Sequence, residues 1–259
     1  MIQLRLLGGV DLVDPHGRGE LRSVLVQPKR LALLVYLALA GDHRFRRRDT
    51  LVALFWPELD SEHARGALRQ SLRFLRGELG SDALVSRGEE DVGVSRERVQ
   101  CDAADFDQAC EAGRWAAALA LYRGDLLTGI HIADISAEFE HWIDGERGRL
   151  RRRAAAAAWS ACGDAERAGD LVAAAPLARR GVELAPDDEA AVRRLMRILD
   201  RKGDRAGALR AYEAFREHLA VAFQAVPSPE TEALLANIRA RDVRIWESPL
   251  SGWPPGPSS

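Results

Sequence analysis

The residues best able to do chemistry in this sequence are guanidinium groups set at helical spacing. In the stretch Ser61 to Leu79, SEHARGALRQSLRFLRGEL, Arg65, Arg69 and Arg76 line one flank of an apolar stripe, while Gln70, Arg73 and Phe74 point farther out. Arginine neutralises phosphates and makes bidentate contacts to guanine in the major groove, and glutamine fits adenine, so these types in this pattern suit base readout. At roughly 100° per residue, Leu68, Leu72, Leu75 and Leu79 share one face, with Ala64 and Ser71 beside them, ready to dock on a core. Asp60 or Ser61 supplies an N-terminal cap, and Gly66 leaves room for close approach. A charged face that merely meets solvent is the alternative for any such helix, so the elements around it decide.

Composition sets the frame. The chain has 259 residues, 47% of them hydrophobic, enough for one large or two ordinary domains. Its net charge of −2 excludes a uniformly basic nucleic-acid binder, so any such role rests on local charge. From Arg44 to Arg76 there are eight arginines against four acids, whereas residues 99–259 hold 21 basic and 25 acidic side chains. Cys101, Cys110 and Cys162, odd in number and without CxxC spacing, argue against a disulfide framework and a zinc site, and the N-terminus has no signal-peptide pattern. No apolar run reaches the 18 or so residues of a membrane span, so the expectation is a cytoplasmic protein without membrane contact.

Enzymatic chemistry finds no foothold. A nucleophile elbow, a phosphate loop, a dinucleotide fingerprint and zinc-ligand spacing are all absent, and Gly8-Gly9 is not followed by GK[ST]. His16, His43, His63, His131, His141 and His218 are scattered, and Glu138, Glu140 and His141 lack a second ligand pair. No catalytic residue, metal or cofactor is expected. Asp102, Asp105 and Asp107 are read as capping or solvating a helix start.

The positioning elements follow in order. Ile2, Leu4 and Leu6, then Val10 and Leu12, alternate around Gly8-Gly9 and lead into the turn Asp14-Pro15-His16-Gly17, which predicts short antiparallel strands. Pro28 opens a first helix to Ala40, with Leu31, Leu34, Val35 and Ala38 inward and Gly41 as its stop. Asp49 or Thr50 caps a second helix with Leu51, Leu54 and Phe55 inward, ended by Trp56-Pro57; the stretch from Ser61 is the third. Residues 83–87 and 92–94 flank Gly88-Glu89-Glu90-Asp91 as a hairpin, so sheet, three helices and hairpin make a winged helix. Arg46, Arg47 and Arg48 precede the second helix, whose N-terminal dipole also favours an anion, which suits a phosphate clamp; the alternative is solubility at a turn.

Beyond residue 98 the pattern is helical: 106–113, 115–122, 138–161, 171–185, 188–201, 204–225 and 229–241. Gly169-Asp170 recurs as Gly203-Asp204, 34 residues later, with Ala174 and Ala178 matching Ala208 and Tyr212. Thirty-four is the tetratricopeptide period, and stacked pairs of this kind share a core and leave a concave face. From Asp242 the sequence becomes rich in Pro, Ser and Gly and reads as a linker or tail.

Several motifs together resemble a known family. Leu7-Gly8-Gly9-Val10, Pro28-Lys29-Arg30, Leu51-x-x-Leu54-Phe55-Trp56 and Arg65-x-x-Leu68…Leu72-x-x-Leu75-Arg76-x-x-Leu79 resemble the response-regulator type of winged helix at the front of SARP-type bacterial transcriptional activators. Cys101-Asp102-x-x-Asp105-Phe106, Leu121-Tyr122-x-Gly124-Asp125-Leu126-Leu127, Glu146-x-x-x-Leu150 and Pro227-x-Pro229-x-Thr231 resemble the bacterial transcriptional activator domain that follows it. The fold class implied is mainly α: an α+β winged helix-turn-helix over 1–98, then an all-α tetratricopeptide-like domain over 99–241, with a tail over 242–259.

The resemblance implies that the third helix enters the major groove of double-stranded DNA, with Arg69, Gln70, Arg73 and Phe74 reading bases and Arg65 and Arg76 on phosphates. Relatives carry Arg where this chain has Phe74, so a thymine methyl contact replaces a guanine contact there. The wing tip is acidic, leaving Arg87 as its phosphate contact. By the same resemblance, RNA polymerase is a partner, met at Pro57-Glu58-Leu59-Asp60; the helical domain is expected to mediate partner contact or a homodimer. The competing reading is a helical-repeat adaptor of a signalling protein that keeps its winged helix only as a structural or protein-binding module.

Overall fold

The computed structural model describes residues 1–15, 19–40, 45–129 and 135–246, with side chains described as far as residue 240. His16, His43, His131 and Arg44 lie outside the described residues, as do part of the turn read at Asp14 to Gly17 and most of the tail. The chain divides into two compact units, Met1–Ala157 and Ala158–Ser259.

In the first unit, β1 (Ile2–Arg5), β2 (Asp11–Asp14) and β3 (Gly19–Glu20) form an antiparallel meander. Leu4 and Leu12 face each other across the first pair and are both fully buried, as the alternating pattern requires. A short helix α1 (Arg22–Leu25) leads to α2 (Pro28–Ala38), with proline at its first position, where the missing N–H costs nothing. Strand β4 (Phe45–Arg47) runs directly into α3 (Arg48–Phe55), and α4 (Ser61–Leu79) follows. After a single 3-10 turn come β5 (Leu84–Arg87) and β6 (Asp91–Val94), which with β4 make a second sheet in the order β4-β6-β5. This is the winged helix-turn-helix expected from sequence, with α2, α3 and α4 as its three helices.

Two features of this unit escaped the sequence pattern. Strand β7 (Val99–Cys101) pairs in parallel with β1, so the first sheet reads β3-β2-β1-β7. Asp102, at the start of α5 (Asp102–Glu111), does more than serve the first turn of that helix, where the Ala103 N–H reaches its carboxyl: it is buried and accepts hydrogen bonds from the backbone N–H groups of Leu6 and Leu7 at 2.7 and 3.2 Å. Its burial pushes the carboxyl pKa up, partly offset by those two donors and by Arg123. Gly8 meets Gly124 backbone to backbone; a Cβ on Gly124 would lie 2.8 Å from the Gly8 Cα. Leu127 N–H donates to the Leu6 carbonyl at 2.8 Å, so the Leu7-Gly8-Gly9 and Gly124-Asp125-Leu126-Leu127 motifs interlock. Helix α6 (Trp115–Leu121) packs on α5, and α7 (Ala137–Arg167) contributes residues to both units.

The second unit is all helical: α8 (Leu171–Leu184), α9 (Glu189–Lys202), α10 (Arg205–Phe223) and α11 (Pro229–Trp246), the last running past Asp242. The 34-residue recurrence is visible in its turns. Gly169 and Gly203 both take positive φ, 75° and 86°, which a glycine adopts at little cost. Asp170 and Asp204 each cap the next helix, accepting from the N–H of Ala173 and of Gly207. Ala174, Ala178, Ala208 and Tyr212, the matched positions, all enter one core with Val192, Leu195 and Met196.

Candidate nucleic-acid interface

Helix α4 is built as the leucine spacing demands. Ala64, Leu68, Ser71, Leu72, Leu75 and Leu79 are buried, and Asp60, not Ser61, is its cap, accepting from the N–H groups of Glu62 and His63 at 3.0 and 3.1 Å. The His63 N–H, then its side chain, hold the Asp60 carboxyl below its ordinary pKa. The opposite face is left to solvent: Arg69, Gln70 and Arg73 are exposed, and none has an ion-pair or hydrogen-bond partner among the described residues.

The flank beside the wing gathers the remaining cations. The guanidinium groups of Arg48 and Arg76 both donate to the Ser86 hydroxyl, at 3.3 and 3.2 Å. Burial, then repulsion from Arg76, lowers the Arg48 pKa, with Glu89 opposing. The Arg48 Nε is buried without an acceptor, as is that of Arg46, whose guanidinium lies 4.7 Å from the Tyr36 ring centre. Arg65 reaches Asp49 at 3.3 Å and Arg47 reaches Glu90 at 3.1 Å. Arg87 grips Asp91 at 2.7 Å and lies over the Phe45 ring. Arg47, Arg48, Asp49, Arg65, Arg69, Glu89 and Glu90 line a pocket of about 480 Å³.

Of the ten arginine, glutamine and phenylalanine positions singled out from sequence, Arg69, Gln70 and Arg73 therefore form one open row. Arg48, Arg65 and Arg76 adjoin it, and Arg46, Arg47 and Arg87 are engaged by aromatic rings or wing carboxylates. Phe74 is half-buried, with the Arg30 guanidinium 4.0 Å from its ring centre. Arg30 was singled out only as part of the helix-opening Pro28-Lys29-Arg30; its spacing from Phe74, on another helix, carries no local signal. The acidic wing tip is not a bare negative patch, since Glu90 and Asp91 each hold an arginine.

Elsewhere the histidines are structural partners: His63 Nδ1 lies 2.6 Å from Asp60 and His218 Nε2 2.6 Å from Asp187. No group of three metal-ligating side chains occurs among the described residues, and no described helix is long and apolar enough to cross a membrane.

Comparisons with known proteins bear on this geometry. A family model described as the bacterial transcriptional activator domain matches residues 89–239, more than half of the chain. A solved structure of Mycobacterium tuberculosis EmbR in complex with a low affinity phosphopeptide has a TM-score of 0.58 and 21% sequence identity, and the match covers 93% of this chain. The chain spans 65% of the length of that EmbR chain, and at this identity the likeness shows the fold. No curated protein matches.

Proposed function

Because the chain belongs to the bacterial transcriptional activator domain family, as its SARP-type motifs led one to expect, we propose that it is a sequence-specific DNA-binding regulator that activates transcription. One observation carries the reading: Arg69, Gln70 and Arg73 stand exposed and unpaired in a row on a helix whose other face is fully buried. A helix of about 10–12 Å diameter fits a major groove of about 12 Å, so this row meets base edges. Arg48, Arg65 and Arg76 then lie toward a phosphate wall, and the paired Arg48 and Arg76, which repel one another, gain most from an anion between them. Arg46, Arg47 and Arg87 are further phosphate ligands in this reading.

Its partners are double-stranded DNA and RNA polymerase, the latter recruited at the exposed turn Pro57 to Asp60, and its place of work is the bacterial cytoplasm. The helical part, tetratricopeptide-like in its 34-residue recurrence, serves partner contact or a homodimer. Residues 1–98 and 99–241 are the two modules in this reading, with no catalytic role for either.

The test is selection of binding sites from a random-sequence duplex pool, followed by fluorescence anisotropy at several salt concentrations. With roughly four to six phosphate contacts, log affinity falls with log salt at a slope of about −4 to −5. An enriched motif with that slope supports the regulator. Absence of both favours the adaptor reading, for which one observation speaks: an apolar groove of about 360 Å³ between α8, α9 and α10, lined by Val182, Leu195, Ala211 and Phe215.

A further inference from the structure

The two flanks of α4 are unlike. On the wing side stand Arg65, Arg69 and Arg76; the other flank, toward α1 and α2, carries Ala67, Phe74 and Glu78 at the same helical spacing. Glu78 accepts from the Ser23 hydroxyl of α1 at 2.7 Å, which fixes that side. A helix seated in the major groove lies between two sugar-phosphate backbones, one along each flank. From its own residues, α4 offers cations to only one of them.

The second wall is supplied from α2. The Arg30 guanidinium lies 4.0 Å from the centre of the Phe74 ring, and its Nη1 donates to the Gln27 side-chain oxygen. Gln27 is in turn held by the Ser23 carbonyl at 3.0 Å. No carboxylate pairs with Arg30 among the described residues, in contrast to its neighbour Lys29, which reaches Glu58 at 3.4 Å. A guanidinium stacked on an aromatic face keeps its in-plane N–H donors and loses little freedom when it binds an anion.

We propose that Arg30, held over the Phe74 ring, contacts a backbone phosphate on the DNA strand opposite the one met by Arg48 and Arg76. Phe74 is then the platform of a phosphate contact and not itself a base reader. This assignment rests on the DNA-binding reading above, and it gives the recognition helix a cation on both sides of the groove.

The experiment uses the full chain and its selected duplex, with anisotropy across a salt series and a set of duplexes carrying single neutral methylphosphonates. Arg30→Ala is expected to weaken binding about fivefold at 0.15 M salt and to flatten the salt slope by about 1, with base preferences unchanged. One methylphosphonate position, on the far strand, should weaken the wild type and leave Arg30→Ala unaffected. Phe74→Leu should give part of the same loss and add none to Arg30→Ala. Circular dichroism melts check the fold, and Arg30→Gln, which keeps the aliphatic stem, repeats the test if Arg30→Ala melts early. Wild-type affinity and slope in Arg30→Gln overturn the proposal while leaving the DNA reading intact, and so does an altered preference at one base pair, which would make Arg30 a guanine reader. Failure of the wild type to bind any duplex with preference overturns both.

Discussion

Arginine does opposite work in two regions of this chain. In the helices after residue 100, many guanidinium groups are consumed by carboxylates. Arg149 holds Asp107 with two bonds of 2.9 and 2.8 Å and also Glu146, while Arg153 holds Asp107 and Glu111. In the second unit Glu166 takes both Arg194 and Arg201, and Arg194 also lies over the Trp159 ring. On α4, Arg69 and Arg73 are left open, while Arg65 pairs with Asp49 and Arg76 with the Ser86 hydroxyl. A paired arginine is a local fastening with little reach, whereas an unpaired one projects its field to a partner. The net charge of −2 conceals this division.

The sharpest way to break the comparison is to remove the open pair. Arg69→Ala and Arg73→Ala should each cost about 1–3 kcal/mol of discrimination between right and wrong base pairs, measured by competition binding, with helical content and melting temperature unchanged. Retained preference in both would detach base reading from this row. Arg149→Ala should do the reverse. It leaves Asp107 and Glu146 short of donors and lowers stability by about 1 kcal/mol, a value discounted for partial exposure, while affinity for DNA stays the same; urea denaturation read beside anisotropy checks it. The smallest effect is shared by both regions. Asp60 and Asp204 cap α4 and α10, and their folded-state pKa values are depressed, chiefly by the N–H groups of His63 and Gly207. Depressed values mean that each contribution is present above the ordinary carboxylate pKa of about 4 and is lost as pH falls through the folded-state value. Melting temperature should decline below about pH 4, and Asp60→Ala should remove part of that decline.

The elements of the winged helix were legible because each carries its own period: Leu68, Leu72, Leu75 and Leu79 for α4, Leu4 and Leu12 for the first strands. Boundaries written in capping residues were also legible, as at Pro28 and Asp60. Short elements were not. Strand β7 is three residues long, too short for an alternation to show, and its partner β1 lies almost a hundred residues away. Asp102 looked like a helix-start residue because sequence displays its neighbours and not the two orphan N–H groups of Leu6 and Leu7 that it satisfies. The wheel gave Gln70 and Arg73 as outward, since outward position follows from inward leucines; it set Arg69 on the flank and Phe74 outward, where the structure has Arg69 exposed and Phe74 half-buried. Which arginines would be left unpaired was not legible, because Asp49 and Glu90 reach Arg65 and Arg47 through tertiary contacts; only Arg87 and Asp91, opposite one another in the hairpin, are a local pair. For the same reason Phe74 was read as a lone apolar reader, without the Arg30 that covers it.

The paired glycines Gly8 and Gly124, with Asp102 beside them, bear on how this reader could be transplanted. The recognition motif looks portable at residue 98, yet a fragment ending there would take from the Leu6 and Leu7 N–H groups their carboxylate acceptor and would strip β7 from the sheet. Neither glycine tolerates a methyl group, so the joint does not readily accept a foreign surface in place of the native one. A hybrid regulator assembled from this chain should carry α5, α6 and the Gly124 to Leu127 motif along with the helix that reads.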